Sequence, residues 1–403
     1  MALTDFRPEF DNAYQEVFQK ALVAKDIMNT RFEPKLKFGE SVERVAFDIS
    51  AVRVRDVVRG SASTIDTITD SSELLTVNLE KEAVFHISDG EVTQAGPLNP
   101  GEVIGGQIAL KVALDLDGRC FAEVLNASNT FDEGDLTTGA STGTPITLSS
   151  TTVPQMTTRM AAKLRRQANQ EVLTNMAFVV DSYAAADIEQ YLLGKDIDLM
   201  GSVFKNGYAG VIRNAVLYVS EQLTGEVTLT FSGVAVADQT VTINGVALTA
   251  KASPAAAGEF DIDGSATAQA TTVFDAINNT NDYAAGAGDA AAYFEISAAN
   301  RDIWERDGIY ATNPSAGVVK VFSRSGRLTV SETQDNAAFT NNMIHAYFGK
   351  KGAIDLVVQD MKPVDMRETA DRRGTNVFSS YLAGIKTFAD GAEKFLDVKI
   401  KNV

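Results

Sequence analysis

Apolar and polar residues change rhythm several times along the chain. In TVNLEKEAVFHISDG (Thr76 to Gly90), Val77, Leu79, Ala83, Phe85 and Ile87 fall on alternate positions, with Thr76, Asn78, Glu80, Glu82, His86 and Ser88, and Val84 among them, on the other face. A period of two marks a half-buried strand. Upstream, VERVAFDISAVRVRDVVRGSAS is also strand-rich. The Ser/Thr/Asp-rich stretch between the two ribbons predicts one long hairpin within residues 42–95. The second ribbon stands apart from any long apolar run, which raises the question of what covers its apolar face.

Helical spacing dominates elsewhere. Phe10, Tyr14, Val17, Phe18, Ala21 and Leu22 predict an amphipathic N-terminal arm, docked on its own domain or reaching a neighbour. Pro34 pushes Glu33 out of the helical region, so RFEPKLKFGE reads as extended. From Gly101, the positions Val103, Ile104, Ile108, Val112, Leu116, Phe121, Val124 and Leu125 predict a long helix. Gly105 and Gly106 weaken it by up to ~1 kcal/mol each, so close packing is their expected reason. Residues 130–150 read as a polar loop or small hairpin. A second helix opens at Pro154, with Met156, Met160, Leu164, Ala168 and Val172 stepping along it. A short strand (AFVVDS), a short helix (YAAADIEQYLL) and a turn-rich passage ending in a strand follow.

Composition shifts near Thr224. Short strands, an Asn244-Gly245 turn signal, one helical stretch (SATAQATTVFDAINN) and a closing hairpin (VVKVFSRSGRLTVSE) set residues 223–333 apart as a β-rich module. Beyond it the pattern of residues 42–222 resumes, and the chain ends in a predicted hairpin around Asp390-Gly391. A module bracketed by two halves of another domain is an insertion.

Candidate chemistry is sparse. The 403 residues suffice for two or three domains, and no apolar run approaches the ~20 residues of a membrane span. The N-terminus lacks the basic start and apolar stretch of a signal peptide, so a cytoplasmic site of synthesis is expected. Cys120 is the sole cysteine, and His86 and His345 are the sole histidines. This excludes an intrachain disulfide and disfavours metal chemistry. A net charge of −17 disfavours direct nucleic-acid recognition, despite KLRRQ at 163–167.

GASTG (139–143) matches the nucleophile-elbow pattern, with Ser141 and a downstream His345. Its flanks are loop, though, where the elbow requires a strand and a helix. DLDGR at Asp115 and DIDGS at Asp261 lack the closing glutamate of a calcium loop and read as turns or caps. His86 is expected in solvent, Cys120 in a core, and Trp304 as an anchor of the module or a contact with a neighbour. No cofactor-binding, metal or catalytic residues are expected.

The order of these elements resembles the major capsid proteins of tailed bacteriophages, the Hong Kong 97-type fold. FVVDSYAAADIEQ…FKNGYAGVIRNAVLYVSEQL resembles that family's axial passage, and YLAGIKTFADGAEKFLDVKI its closing peripheral hairpin. The resemblance covers roughly 1–222 and 334–403. It implies an α+β fold: an N-terminal arm (1–41), an extended loop with peripheral strands (42–100) and a peripheral domain with a spine helix (101–176). An axial domain (177–222 and 334–360) and C-terminal peripheral strands (361–403) complete it, with an Ig-like or other small module inserted at 223–333.

The function implied is a structural one, without enzyme activity. Copies would assemble into pentamers and hexamers of an icosahedral head around double-stranded DNA, within the virion and in the host bacterial cytoplasm. Scaffolding, portal and decoration proteins would be further partners, DNA would be touched only weakly, and no membrane is involved. Val77, Leu79, Phe85 and Ile87 of the extended loop, and Phe10, Tyr14 and Phe18 of the arm, would contact a neighbouring subunit. Some relatives crosslink a loop lysine; Lys81 alone does not predict this. The alternatives are a serine hydrolase using Ser141 and His345, or a tail-tube or decoration subunit.

Overall fold

The computed structural model describes residues 14, 22–32, 40–48, 52–56, 65–88, 100–167, 174–193, 208–212, 215–262, 264–279, 295–368 and 374–402. In chain order its strands are β1 (Ser41–Asp48), β2 (Thr69–Thr76), β3 (Leu79–Ile87), β4 (Thr130–Phe131), β5 (Met176–Val180), β6 (Tyr208–Ile212) and β7 (Ala215–Val219). Then come β8 (Thr224–Phe231), β9 (Thr240–Ile243), β10 (Val246–Lys251), β11 (Glu259–Asp261), β12 (Tyr310–Ser315), β13 (Val318–Ser323) and β14 (Val330–Glu332). The last four are β15 (Ala337–Lys350), β16 (Asp355–Glu368), β17 (Thr375–Lys386) and β18 (Phe395–Lys401).

Two compact units divide the chain: residues 1–113 with 351–392, and residues 114–350 with 393–403. In the first, β16, β17 and β3 form one antiparallel sheet, and β1 and β2 form a two-stranded ribbon. The period-two reading of 76–90 holds, but the predicted pairing does not. β3 lies along β17, from Leu79 opposite Ala383 to Ile87 opposite Thr375. The hairpin is instead β1 with β2, from Ser41 opposite Thr76 to Asp48 opposite Thr69. Local sequence marks both ribbons as strands, but register is decided by which distant strand supplies the facing pairs. His86, expected in solvent, is half-buried, with Nδ1 2.8 Å from Asn376 Oδ1.

The long helix spans Pro100–Ala122 and tightens into a 3-10 turn at Glu123–Asn126. In its second-unit half, Leu116, Cys120, Phe121 and Val124 are fully buried. DLDGR is therefore helical, not a turn: Arg119 pairs with Asp115 one turn back at 3.0 Å. Gly118 stands where a Cβ would come within 2.7 Å of the Arg324 carbonyl oxygen. The helix Thr152–Gln167 buries Met156, Met160 and Leu164 as its spacing predicts; Ala168 and Val172 lie outside the described residues.

β15 is the hub of the second unit. One edge pairs with β8 and then β5, the other with β18, within a nine-stranded sheet. Residues 224–333 add β8, β13 and β12 to that sheet and build a four-stranded sheet in the order β11-β10-β9-β14. Between them lies a core of Leu229, Phe231, Ile243, Leu248, Phe260, Val273, Val319 and Trp304.

Asn244 and Gly245, both at positive φ, make the predicted tight turn between β9 and β10. The Ig-like expectation is corrected. Among its described residues the segment holds two helices (Ala266–Asn278 and Ala298–Asp307) and a parallel β10–β11 pair, unlike an antiparallel sandwich. Neither predicted closing hairpin forms. β13 and β14 enter different sheets, as do β17 and β18. Asp390-Gly391 lies in a short helix, Ala389–Ala392.

Candidate assembly surface

The β1–β2 ribbon pairs with no third strand among the described residues. Its alternation gives it two faces. Val42 opposite Leu75 and Arg44 opposite Glu73 share one; Glu43 opposite Leu74 and Val45 opposite Ser72 share the other. The first face is anchored in its own unit. Val42 packs on a cluster of Phe32, Leu75, Val77, Val357 and Phe388. The Glu73 carboxylate accepts from the Ala389 backbone N–H at 3.2 Å, and Lys386 Nζ donates to the Leu74 carbonyl at 3.0 Å.

Arg44 reaches furthest. Its guanidinium pairs with Asp390, approaches Asp355 Oδ2 at 3.6 Å and sits 5.0 Å from the centre of the Phe388 ring. Asp355 is buried and also accepts from Asn29 Nδ2. Burial raises its carboxyl to about 6, against the opposing pull of Arg44 and Asn29.

The second face is uncovered and mixes Glu43 and Ser72 with the apolar Val45 and Leu74. Val45 is 51% exposed and Leu74 49%, while further out Val54 and Ile65 are essentially bare at 104% and 92%. Beyond the ladder, Arg55 grips Asp66 in two bonds of 2.7 Å, and the Arg53 N–H donates to the same carboxylate at 2.9 Å. These bonds hold the Asp66 carboxyl below its usual range. An isolated two-stranded ribbon is marginal in water, and apolar side chains left exposed on one face of it make that face a candidate interaction surface.

The residues expected to contact a neighbour divide. Val77 is buried in the cluster beneath the ribbon, so its own unit covers it. Leu79, Phe85 and Ile87 lie half-buried in β3, which is not part of the free ribbon. Tyr14 is fully buried with its hydroxyl against Ser379, so it belongs to the core of the first unit; burial raises its pKa. Phe10 and Phe18 lie outside the described residues. Val45, Val54, Ile65 and Leu74 are not singled out by sequence reasoning. Part of the signal lies in VRVRDVV, where valines alternate with arginine without a matching run nearby.

The structure does not bring Ser141 and His345 together as a catalytic pair. Ser141 Oγ donates to Asp135 Oδ2 at 2.8 Å and accepts from Lys163 Nζ at 3.1 Å. Asp132 caps the helix Glu133–Thr137, with Asp135 completing the capping box. The 130–150 segment is thus a fixed structure, pinned at its far end by Ile146 against Ile400.

His345 is buried in the sheet, with Nδ1 2.8 Å from Asp397 and Nε2 3.0 Å from Glu226, which also meets Lys320 at 2.8 Å. Burial alone would favour the neutral ring, but the two carboxylates overcome it and raise the imidazolium to about 9. Both ring nitrogens are engaged, which leaves none to activate a hydroxyl. Burial also pushes the Cys120 thiol up, as suits a core cysteine. Among the described residues no group of three or more His, Cys, Asp or Glu could hold a metal, and no helix is long and apolar enough to cross a membrane.

No protein-family model and no curated protein matches the chain. Among solved structures it is similar to one described as Mycobacterium phage Che8, with 12% identity over 92% of this chain and 89% of that one, at a TM-score of 0.46. It is similar to the mature capsid of bacteriophage PhiM1, with 11% identity over 91% and 83%, at 0.45. It is also similar to the capsid of Cyanophage P-SCSP1u, with 11% identity over 96% and 88%, at 0.41.

Proposed function

We propose that this chain is a structural shell subunit, a major capsid protein of the Hong Kong 97 type. Its copies assemble as pentamers and hexamers into an icosahedral head around double-stranded DNA. The observation that carries this reading is the β1–β2 ribbon, anchored on one face and uncovered on the other, where Val45 and Leu74 are left exposed. A second copy of the same chain is the occupant that makes such a ribbon stable.

Shell assembly needs many modest contacts per subunit, each of standard size burying ~1,200–2,000 Å². Acting together, such contacts hold a closed shell although each is weak. The ribbon, rather than β3, takes the role of extended loop, and the helix starting at Pro100 takes that of the spine. The net charge of −17 keeps contact with packaged DNA weak. Scaffolding, portal and decoration proteins are the further partners of this proposal, with the virion as the mature location and the host bacterial cytoplasm as the place of assembly.

The two long helices speak against a tail-tube subunit built of strands, and the engaged ring of His345 against a hydrolase. Negative-stain microscopy of the expressed chain tests the reading. Closed polyhedral shells, or rings of five or six, are expected; a persistent monomer at high concentration contradicts it.

A further inference from the structure

The root of the ribbon joins a hairpin free on one face to a buried titratable group. Asp355 opens β16 and is 1% exposed. On one side Asn29 holds it: the two residues form a backbone bridge, the Asn29 side chain donates to the carboxylate, and Leu356 N–H donates to the Asn29 carbonyl at 3.0 Å. On the other side stands Arg44, which belongs to β1 and travels with the ribbon.

The charged groups around Asp355 come from each neighbouring element. Arg44 faces it from β1, Asp390 from the helix Ala389–Ala392, and Arg31 from the turn after Asn29. Glu73 of β2 and Lys386 of β17 are committed to backbone groups at the same root.

We propose that Arg44 and Asp355 form a proton-operated latch that holds the ribbon at its root near neutral pH and frees it in acid. While Asp355 is ionised, a buried carboxylate and the guanidinium hold each other, and removing either leaves an uncompensated buried charge. Protonation removes that requirement. Arg44 then keeps only the part-exposed Asp390, a weak type of pair.

The sign follows from which state binds the proton more tightly. The proposed lifted state leaves Asp355 packed against Asn29 while Arg44 departs, so it has lost the cation that favours ionisation and takes up the proton more readily. Acid therefore drives lifting. The carboxyl's position at about 6 places the change within an accessible pH range. The latch adds to the assembly reading a control over when the ribbon can move, and it rests on that reading only for its purpose.

Hydrogen exchange on the unassembled full-length chain tests it, because peptides covering residues 41–48 and 69–76 report on the root whether or not shells form. After correction for intrinsic rates, protection of these peptides should fall as pH drops towards about 6, by at most about tenfold per pH unit for one linked proton, and level off in more acid solution. Peptides from β18 should not change. Asp355→Asn should show weak protection at every pH, with no pH dependence. Should that variant fail to fold, Arg44→Met, which keeps the side-chain stem, should show the same flat profile. Protection in the wild-type chain that is independent of pH or rises in acid would overturn the proposal, as would either variant matching the wild type at pH 8.

Discussion

Nδ1 of His345 lies 2.8 Å from Oδ1 of Asp397, joining the hub strand β15 to the last strand of the chain inside a buried sheet. Glu226 on β8 takes the other ring nitrogen, and Lys320 on β13 takes the remaining oxygen of Glu226. Four adjacent strands are thereby tied through alternating charges. Such a cluster is costly to break, because losing one member strands the others in a low-dielectric site.

The pH dependence of the second unit follows from this cluster. His345 titrates at about 9 in the folded chain against an ordinary 6.5. Its stabilisation is therefore fully present below about 6.5 and lost as pH rises through about 9. Thermal unfolding from pH 7 to 10 should show a falling midpoint in the wild-type chain. His345→Gln should lower stability by about 3–5 kcal/mol at pH 7 and flatten that fall.

Gly349 on β15 pairs with Phe395 on β18, and a Cβ there would fall inside the Phe395 backbone and side chain. Tyr347 stacks on the Phe395 ring at 5.1 Å, so the phenylalanine has little room to give way. Gly349→Ala should cost about 1–3 kcal/mol through overpacking, measured by urea unfolding. A neutral effect would mean that the strands can part freely.

Trp304 is buried among the residues of the 224–333 core, and its indole N–H donates to the Ile243 carbonyl at 3.1 Å. Of its two predicted roles, anchoring this segment is the one its position supports. Trp304→Ala should lose about 3–5 kcal/mol, and Trp304→Phe less, because the ring volume is largely kept. Tryptophan fluorescence in the wild-type chain, which has a single tryptophan, reports the loss of this core directly.

What can be read from the sequence is whatever local periodicity decides. The steps of Met156, Met160 and Leu164 announce their helix, and Asn244-Gly245 its turn. Partner choice cannot be read. β3 looks like half of a hairpin because its actual partner, β17, lies about three hundred positions further on.

Asp390-Gly391 looks like a hairpin turn. Gly391 is instead required because a Cβ there would collide with the Ala353 carbonyl, a contact between distant segments. The charge cluster is equally invisible. Glu226 and Asp397 stand 119 and 52 positions from His345 along the chain, and the three meet only through the sheet register. The ribbon's exposed valines escape for the same reason: period two names a face without saying whether it is covered.

The central claim is that the open face of the β1–β2 ribbon is an assembly surface between copies of this chain. Sedimentation velocity on the wild-type chain and on a Val45→Glu/Leu74→Glu variant, with urea unfolding run in parallel, tests it most directly. Both sites are half-exposed, so unfolding should move by no more than about 0.5 kcal/mol per site. The wild-type chain should sediment as rings or shells and the variant as a monomer. A variant that assembles as the wild type does would contradict the account.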